Sequence, residues 1–385
     1  MSSPAPSKLD SPATFHRRGR SVRTHLERFG PLIGLVVLVG VITVVNPAFK
    51  RPENILNILH NWSFVGVIVV GMTFVIIAGG IDLSVGSLVA FAGGLGVWLM
   101  NTVILAPSIL EATAAATQAG TDTPYSAVRV ILARAFIFCQ VGGSETAGVV
   151  LAFAVILFAG TAAGLLNGVL IAKGRIAPFI ATLGGLAAYR SLAQAMADGG
   201  EFRSASAVVF QRLGTGGIPV PLVRNLYGQP FVLPWPVIIF IIVAVGGHVL
   251  LNWTRYGRHV YAVGSNERAA TYSAIRVDRV KIATYTLVGG LAGLAAMMNA
   301  SRMNSVSSGQ TGSMWELDAI AAVVIGGTRM TGGSGSIFGS VVGLLMLGVI
   351  GNMLNLLQVS PYLHGLVKGL IIIAAVLVQR GKAGE

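Results

Sequence analysis

Charge is what this sequence has least of. Only 11% of its 385 residues are Asp, Glu, Lys or Arg, against about 25% in an ordinary soluble domain. Acidic residues are rarest, 14 against 27 basic ones. One cysteine, Cys139, excludes an intrachain disulfide, and no Cys or His pair has the spacing of a structural zinc site. The six histidines, His16, His25, His60, His248, His259 and His364, are scattered. No G-x-x-x-x-G-K-[ST] loop occurs: the glycine run "GGTRMTGGSGS" has no lysine to reach a phosphate, so the chain has no ATP-loading motif of its own. "GGSGSIFG" misses the dinucleotide spacing by one residue, and no Ser/His/Asp set can be argued from spacing. These absences point away from an enzyme, and no metal or cofactor is expected.

What is present is apolar length. Hydrophobic residues make up 54% of the chain, with 50 glycines among them, and runs of about 20 apolar residues recur. The fold expected is an all-α polytopic membrane protein with about ten transmembrane helices. They are read at 31–46, 62–79, 84–104, 147–172, 177–197, 234–251, 282–301, 317–328, 337–356 and 362–379, the eighth short enough to be a broken or tilted helix. Residues 1–29 read as a basic cytoplasmic tail, 30–380 as the transmembrane domain and 381–385 as a second short tail. The long outer loops are 105–146 and 198–233, and the one long inner loop is 252–281. In the first outer loop the apolar positions of "YSAVRVILARAFIFCQV" predict a short helix on the membrane surface or packed on the domain.

The formal charge of +13 is spread over loops and makes no nucleic-acid face. With both termini inside, the inner segments hold about twice as many Lys and Arg residues as the outer ones, as the positive-inside rule requires.

An internal echo links "GGIDLSVGSLVAFAGGLG" with "GGTRMTGGSGSIFGSVVGLL". Each sets a Gly-Gly break and a short polar connection between apolar halves, a pattern that marks unwound helices facing a cavity. The break residues are Gly79, Gly80, Gly86, Gly326, Gly327, Gly332, Gly333 and Gly335. Asp82 stands in the first break. Unpaired, its carboxylate would cost several kcal/mol. Backbone N–H groups at the next helix start would satisfy it as a local cap, with Ser84 and Ser87 assisting; direct solute contact is the other reading. Polar candidates for the pathway are Asp82, Ser84, Tyr189, Asn299, Arg302, Trp315, Glu316 and Asp318. Glu316 and Asp318 also fit an ion pair with Arg302, and Trp315 fits an interfacial anchor. In the inner loop, "SNERAATYSAI" reads as a short helix over 265–275 capped by Ser265, suited either to a groove on a partner protein or to anionic lipid headgroups.

"GGIDLSVGS", "KGRIAPFIATLGG", "YGRHVYAVGSNERAATYSAIRVDRVKI" and "WELDAIAAVVIGGTRMTGGSGSIFGS" resemble the membrane permease subunits of ABC importers for monosaccharides, the ribose, xylose and fructose class. The resemblance runs through about 50–100, 147–200 and 234–380; the stretch 101–146 is longer than in ribose permeases. It implies a pathway formed by two permease subunits in the bacterial inner membrane, here expected as a homodimer in contact with membrane lipid. Separate ABC ATPase subunits would lie beneath and a sugar-binding protein would dock outside. It also implies that Ser265, Asn266, Glu267, Arg268 and Ala270 seat in the ATPase. The alternatives are a permease for another small polar solute, or an ion-coupled carrier using Asp82, Glu316 or Asp318.

Overall fold

The computed structural model describes residues 19–206, 208–224, 230–360, 362–371 and 373, with the side chains of 19–29 and 221–224 left aside. Its helices are α1 (Gly19–Val45), α2 (Pro52–Ile77), α3 (Val85–Ile104), α4 (Ala106–Ala119), α5 (Ala127–Phe138), α6 (Glu145–Ala172) and α7 (Pro178–Met196). They continue with α8 (Val209–Thr215), α9 (Trp235–Trp253), α10 (Arg255–Ser265), α11 (Glu267–Tyr272), α12 (Val277–Met303), α13 (Trp315–Ile325) and α14 (Ile337–Leu356). Residues 362–371 are also helical. The protein is an all-α polytopic membrane protein; nine of the ten expected spans fall on a helix, and the described part of the tenth, 362–371, is helical too. Among the described residues, six helices are long and apolar enough to cross a bilayer alone: α2, α3, α6, α9, α12 and α14.

Among the described residues, four short strands depart from a purely helical reading. β1 (Glu201–Arg203) pairs antiparallel with β4 (Ser305–Ser307), and β2 (Gly217–Arg224) with β3 (Pro230–Pro234). Phe202 on β1 inserts beside Gly94 of α3 and joins a cluster with Val97, Phe210 and Val306. The strands therefore tie the loop 198–233 to the ends of α3 and α12. The first outer loop holds two helices where one was expected. α4 and α5 pack on each other through Ala106, Ile109, Val130 and Ala133, while Val128, Ile131 and Phe138 of α5 stay exposed, an amphipathic arrangement suited to a membrane surface. α1 begins at Gly19, inside the expected tail; residues 1–18 and 374–385 lie outside the described residues.

α12 is the axis of the bundle, packed along α6, α2 and α3. Its closest approach is to α6, where Gly160, Gly164 and Gly168 recur every fourth residue and meet Gly289, Gly293, Tyr285 and Ile282. Lipid tails are as apolar as leucine, so burial supplies little force between spans, and close backbone packing over small residues takes its place. A Cβ at Gly164 would lie 2.9 Å from the Gly289 Cα. Gly289→Leu is therefore expected to lower the thermal unfolding temperature of the purified protein by several degrees. Gly246→Leu on α9, where an added Cβ meets nothing within 4 Å, is expected to leave it unchanged.

Candidate functional site

Two helix breaks and the loop 252–281 meet at one place. α2 ends at Ile77 and α13 at Ile325, and both close in the same way. Gly79 (φ +83°) donates to Ile76 O and Gly80 to Val75 O; Gly327 (φ +88°) donates to Val324 O and Thr328 to Val323 O. Each is a Schellman end, whose left-handed residue favours glycine because a Cβ is strained there. The internal echo is thus a repeated geometry. The two breaks also bond to each other: the Gly333 N–H donates to Ile77 O at 2.9 Å.

The C-terminal end of α10 fills the space beneath. Gly264 packs so closely on Ile77 O and the Gly333 N–H that a Cβ would overlap both. Tyr261 Oη donates to Gly335 O at 2.8 Å, tying α10 to the second break. Ser265 is the last residue of α10 and lies against Gly333. The expected helix over 265–275 is therefore shorter, α11 over Glu267–Tyr272, and its cap is Asn266, whose Oδ1 accepts from Ala269 N at 3.0 Å. Ala270 is turned into the bundle, 3% exposed, among Val260, Val263, Val277 and Ile337. It anchors α11 and does not belong to its outer face. That face presents Asn266, Glu267, Arg268 and Tyr272, the last 90% exposed. Lys281 of α12 holds Glu267 at 2.8 Å.

Asp82 is 1% exposed in the first break. Its Oδ1 accepts from Ser84 N at 2.8 Å and Ser84 Oγ at 2.6 Å, an Asx turn leading into α3. Asn167 Nδ2 of α6 donates to Ser84 Oγ at 2.9 Å, and Tyr189 Oη of α7 to Asn167 Oδ1 at 3.4 Å. Ile81 O accepts from Tyr285 Oη at 3.3 Å and Thr182 Oγ1 at 3.4 Å. Tyr285 is eight residues into α12, from 277 to 285, about 12 Å along its axis. The turn is thus recessed well inside the bundle end.

The other candidates lie away from this turn. Gly86 sits in the first turn of α3 and breaks no helix; its missing Cβ admits Gly312 and the Glu316 carboxylate. Arg190 Nη1 donates to Ser308 O at 3.0 Å and Thr311 O at 2.9 Å, pinning the turn before α13, and its charge acts on Glu316. Asp318 pairs with Lys368 at 2.9 Å instead of Arg302. Arg302 donates to Asn61 Oδ1 at 2.7 Å and lies over Phe64, against which Trp315 stacks. Asn299 is half-buried on α12.

A family profile described as "branched-chain amino acid transport system / permease component" matches residues 54–376. The chain belongs to that permease family. It is 37% identical to the ribose import permease protein RbsC of Bacillus subtilis, across 93% of this chain and 94% of that one. The Escherichia coli protein of the same name is 36% identical, across 91% and 93%. The L-arabinose ABC transporter permease protein AraH of Azospirillum brasilense is 32% identical, across 100% and 95%. No solved structure matches.

Of the permease residues that sequence reasoning placed in a pathway, the fold joins Asp82, Ser84 and Tyr189, and links Arg302 to Trp315 through Phe64. Asn167, Thr182 and Tyr285 complete the Asp82 turn and were missed, as was Gly264. An Asn inside the apolar run of α6 was the available signal, since a buried amide needs a partner. Asp82→Asn keeps an oxygen for both Ser84 donors and is expected to retain folded stability. Asp82→Ala leaves those buried donors unpaired and is expected to lose about 1–3 kcal/mol, read as a lower unfolding temperature.

Proposed function

We propose that this chain is the permease subunit of an ABC importer that passes a monosaccharide of the ribose type through the bacterial inner membrane, with both termini inside. A binding protein outside delivers the sugar, separate ATPase subunits drive the cycle, and a second copy of the chain completes the pathway. The names of the relatives, ribose, L-arabinose and, at 31% identity, D-allose permeases, support a monosaccharide over a branched-chain amino acid.

One observation carries the reading: the residue pair Gly264–Ser265, which ends α10 one residue before α11, is wedged under both helix breaks. ATP binding draws the ATPases together and moves the exposed α11 face, Asn266, Glu267, Arg268 and Tyr272. α10 transmits that displacement to the α2–α3 and α13–α14 turns, because Gly264 leaves no slack between them. The breaks then shift between two arrangements and switch access. Asp82 shapes its turn and takes no part in ion transfer. Sugar contacts are weak and polar, in the half of the bundle that holds Arg302, Trp315, Glu316 and Asn299, since a tight site would slow release inward.

Co-purification with the ATPase of the same cell tests the assembly. Wild type is expected to retain it, and Glu267→Ala/Arg268→Ala or Tyr272→Ala to lose most of it while staying folded. Gly264→Val is expected to keep the ATPase and lose uptake. Solute movement by the isolated chain in vesicles without ATP, abolished by Asp82→Asn, would show an ion-coupled carrier instead.

A further inference from the structure

A groove runs along α12 beside α6, whose Leu157 and Thr161 form one wall. Ala283, Thr286, Leu287, Gly290 and Leu294 of α12 form the other wall of this open groove of about 750 Å³. Its foot is Arg279, which also lines a second cleft of about 1240 Å³ with Lys173, Arg175, Arg268 and Arg276. Lys281 and two acidic residues, Glu267 and Asp278, line that cleft too, and Lys281 and Glu267 neutralise each other. The remaining charge is strongly positive, and Lys173, Arg175, Arg276 and Arg279 are exposed.

The geometry points to a binding site for one anionic phospholipid of the inner leaflet, its phosphate held at Arg276 and Arg279 and one acyl chain lying in the groove. Length favours this occupant. From Ile282 to Leu294 is twelve residues, about 18 Å of helix, close to one leaflet of a hydrocarbon core about 30 Å thick. A spanning helix from a second copy would need a groove through both leaflets, and this one ends at mid-depth. Charge favours it too, because basic pockets between spans on the cytoplasmic side suit anionic headgroups. The site adjoins the foot of α11 through Arg268 and Lys281, so a bound lipid would brace the loop that meets the ATPase. The inference rests on the reading of this end as cytoplasmic, but not on the sugar or the ATPase.

Native mass spectrometry of the full-length protein in detergent tests it, with phosphatidylglycerol or phosphatidylcholine of the same acyl chains added. Wild type is expected to keep one phosphatidylglycerol after phosphatidylcholine is stripped. Arg276→Gln and Arg279→Gln are each expected to lower that retention about fivefold. Gly290→Leu, which fills the groove beside Thr161, is expected to lower it with helicity unchanged by circular dichroism. Equal retention of the two lipids by wild type, or undiminished phosphatidylglycerol on all three variants, would overturn the site. Disulfide-linked dimers from Ala283→Cys in a Cys139→Ser background would assign the groove to a second copy.

Discussion

The hydrogen bond from Gly333 N–H to Ile77 O joins the two places where spanning helices are interrupted. In hydrocarbon no water satisfies an open backbone group, so a helix can stop at depth only where protein supplies each partner. Most of this architecture follows from that requirement. Both interruptions close their own carbonyls with the same glycine-ended turn. The Ile77 carbonyl left over at the first takes a donor from the second. Asp82 then supplies the acceptor for Ser84 that the start of α3 lacks.

This arrangement makes the breaks dependent on each other. A displacement at Gly79 cannot occur without displacing Gly332 and Gly333, because these segments touch backbone to backbone with Gly264 beneath. Packed elements of this kind change between discrete arrangements more readily than they deform continuously. The α6–α12 crossing is the opposite case. Its glycines bring two unbroken helices together along several turns, a static frame against which the broken pairs can move.

Much of this was legible in the sequence, for reasons that can be named. The apolar runs fall on helices throughout the described residues because span length is set by bilayer thickness and needs no tertiary knowledge. The Asp82 turn was legible because a carboxylate among apolar residues must find donors, and Ser84 stands two residues on. The cap of α11 was misplaced by one residue: Ser265 and Asn266 are both good caps, and only the extent of α10 decides between them. Ala270 was placed against the ATPase by the family resemblance alone, which does not say which side of a six-residue helix is buried. The Asp318–Lys368 pair was hidden by distance along the chain, since the fold alone brings residue 368 to α13.

Gly264 was hidden for a different reason. In a loop, a glycine before a Ser-Asn pair reads as ordinary punctuation. Its role arises because Ile77 and Gly333, far away in the chain, both require backbone contact at that point. Side chains announce chemistry in a sequence, whereas a missing side chain announces only room. The residues that bring the 252–281 loop against the breaks are of the second kind, so the coupling route proposed for this permease is written mainly in glycine and becomes visible only when the chain is folded.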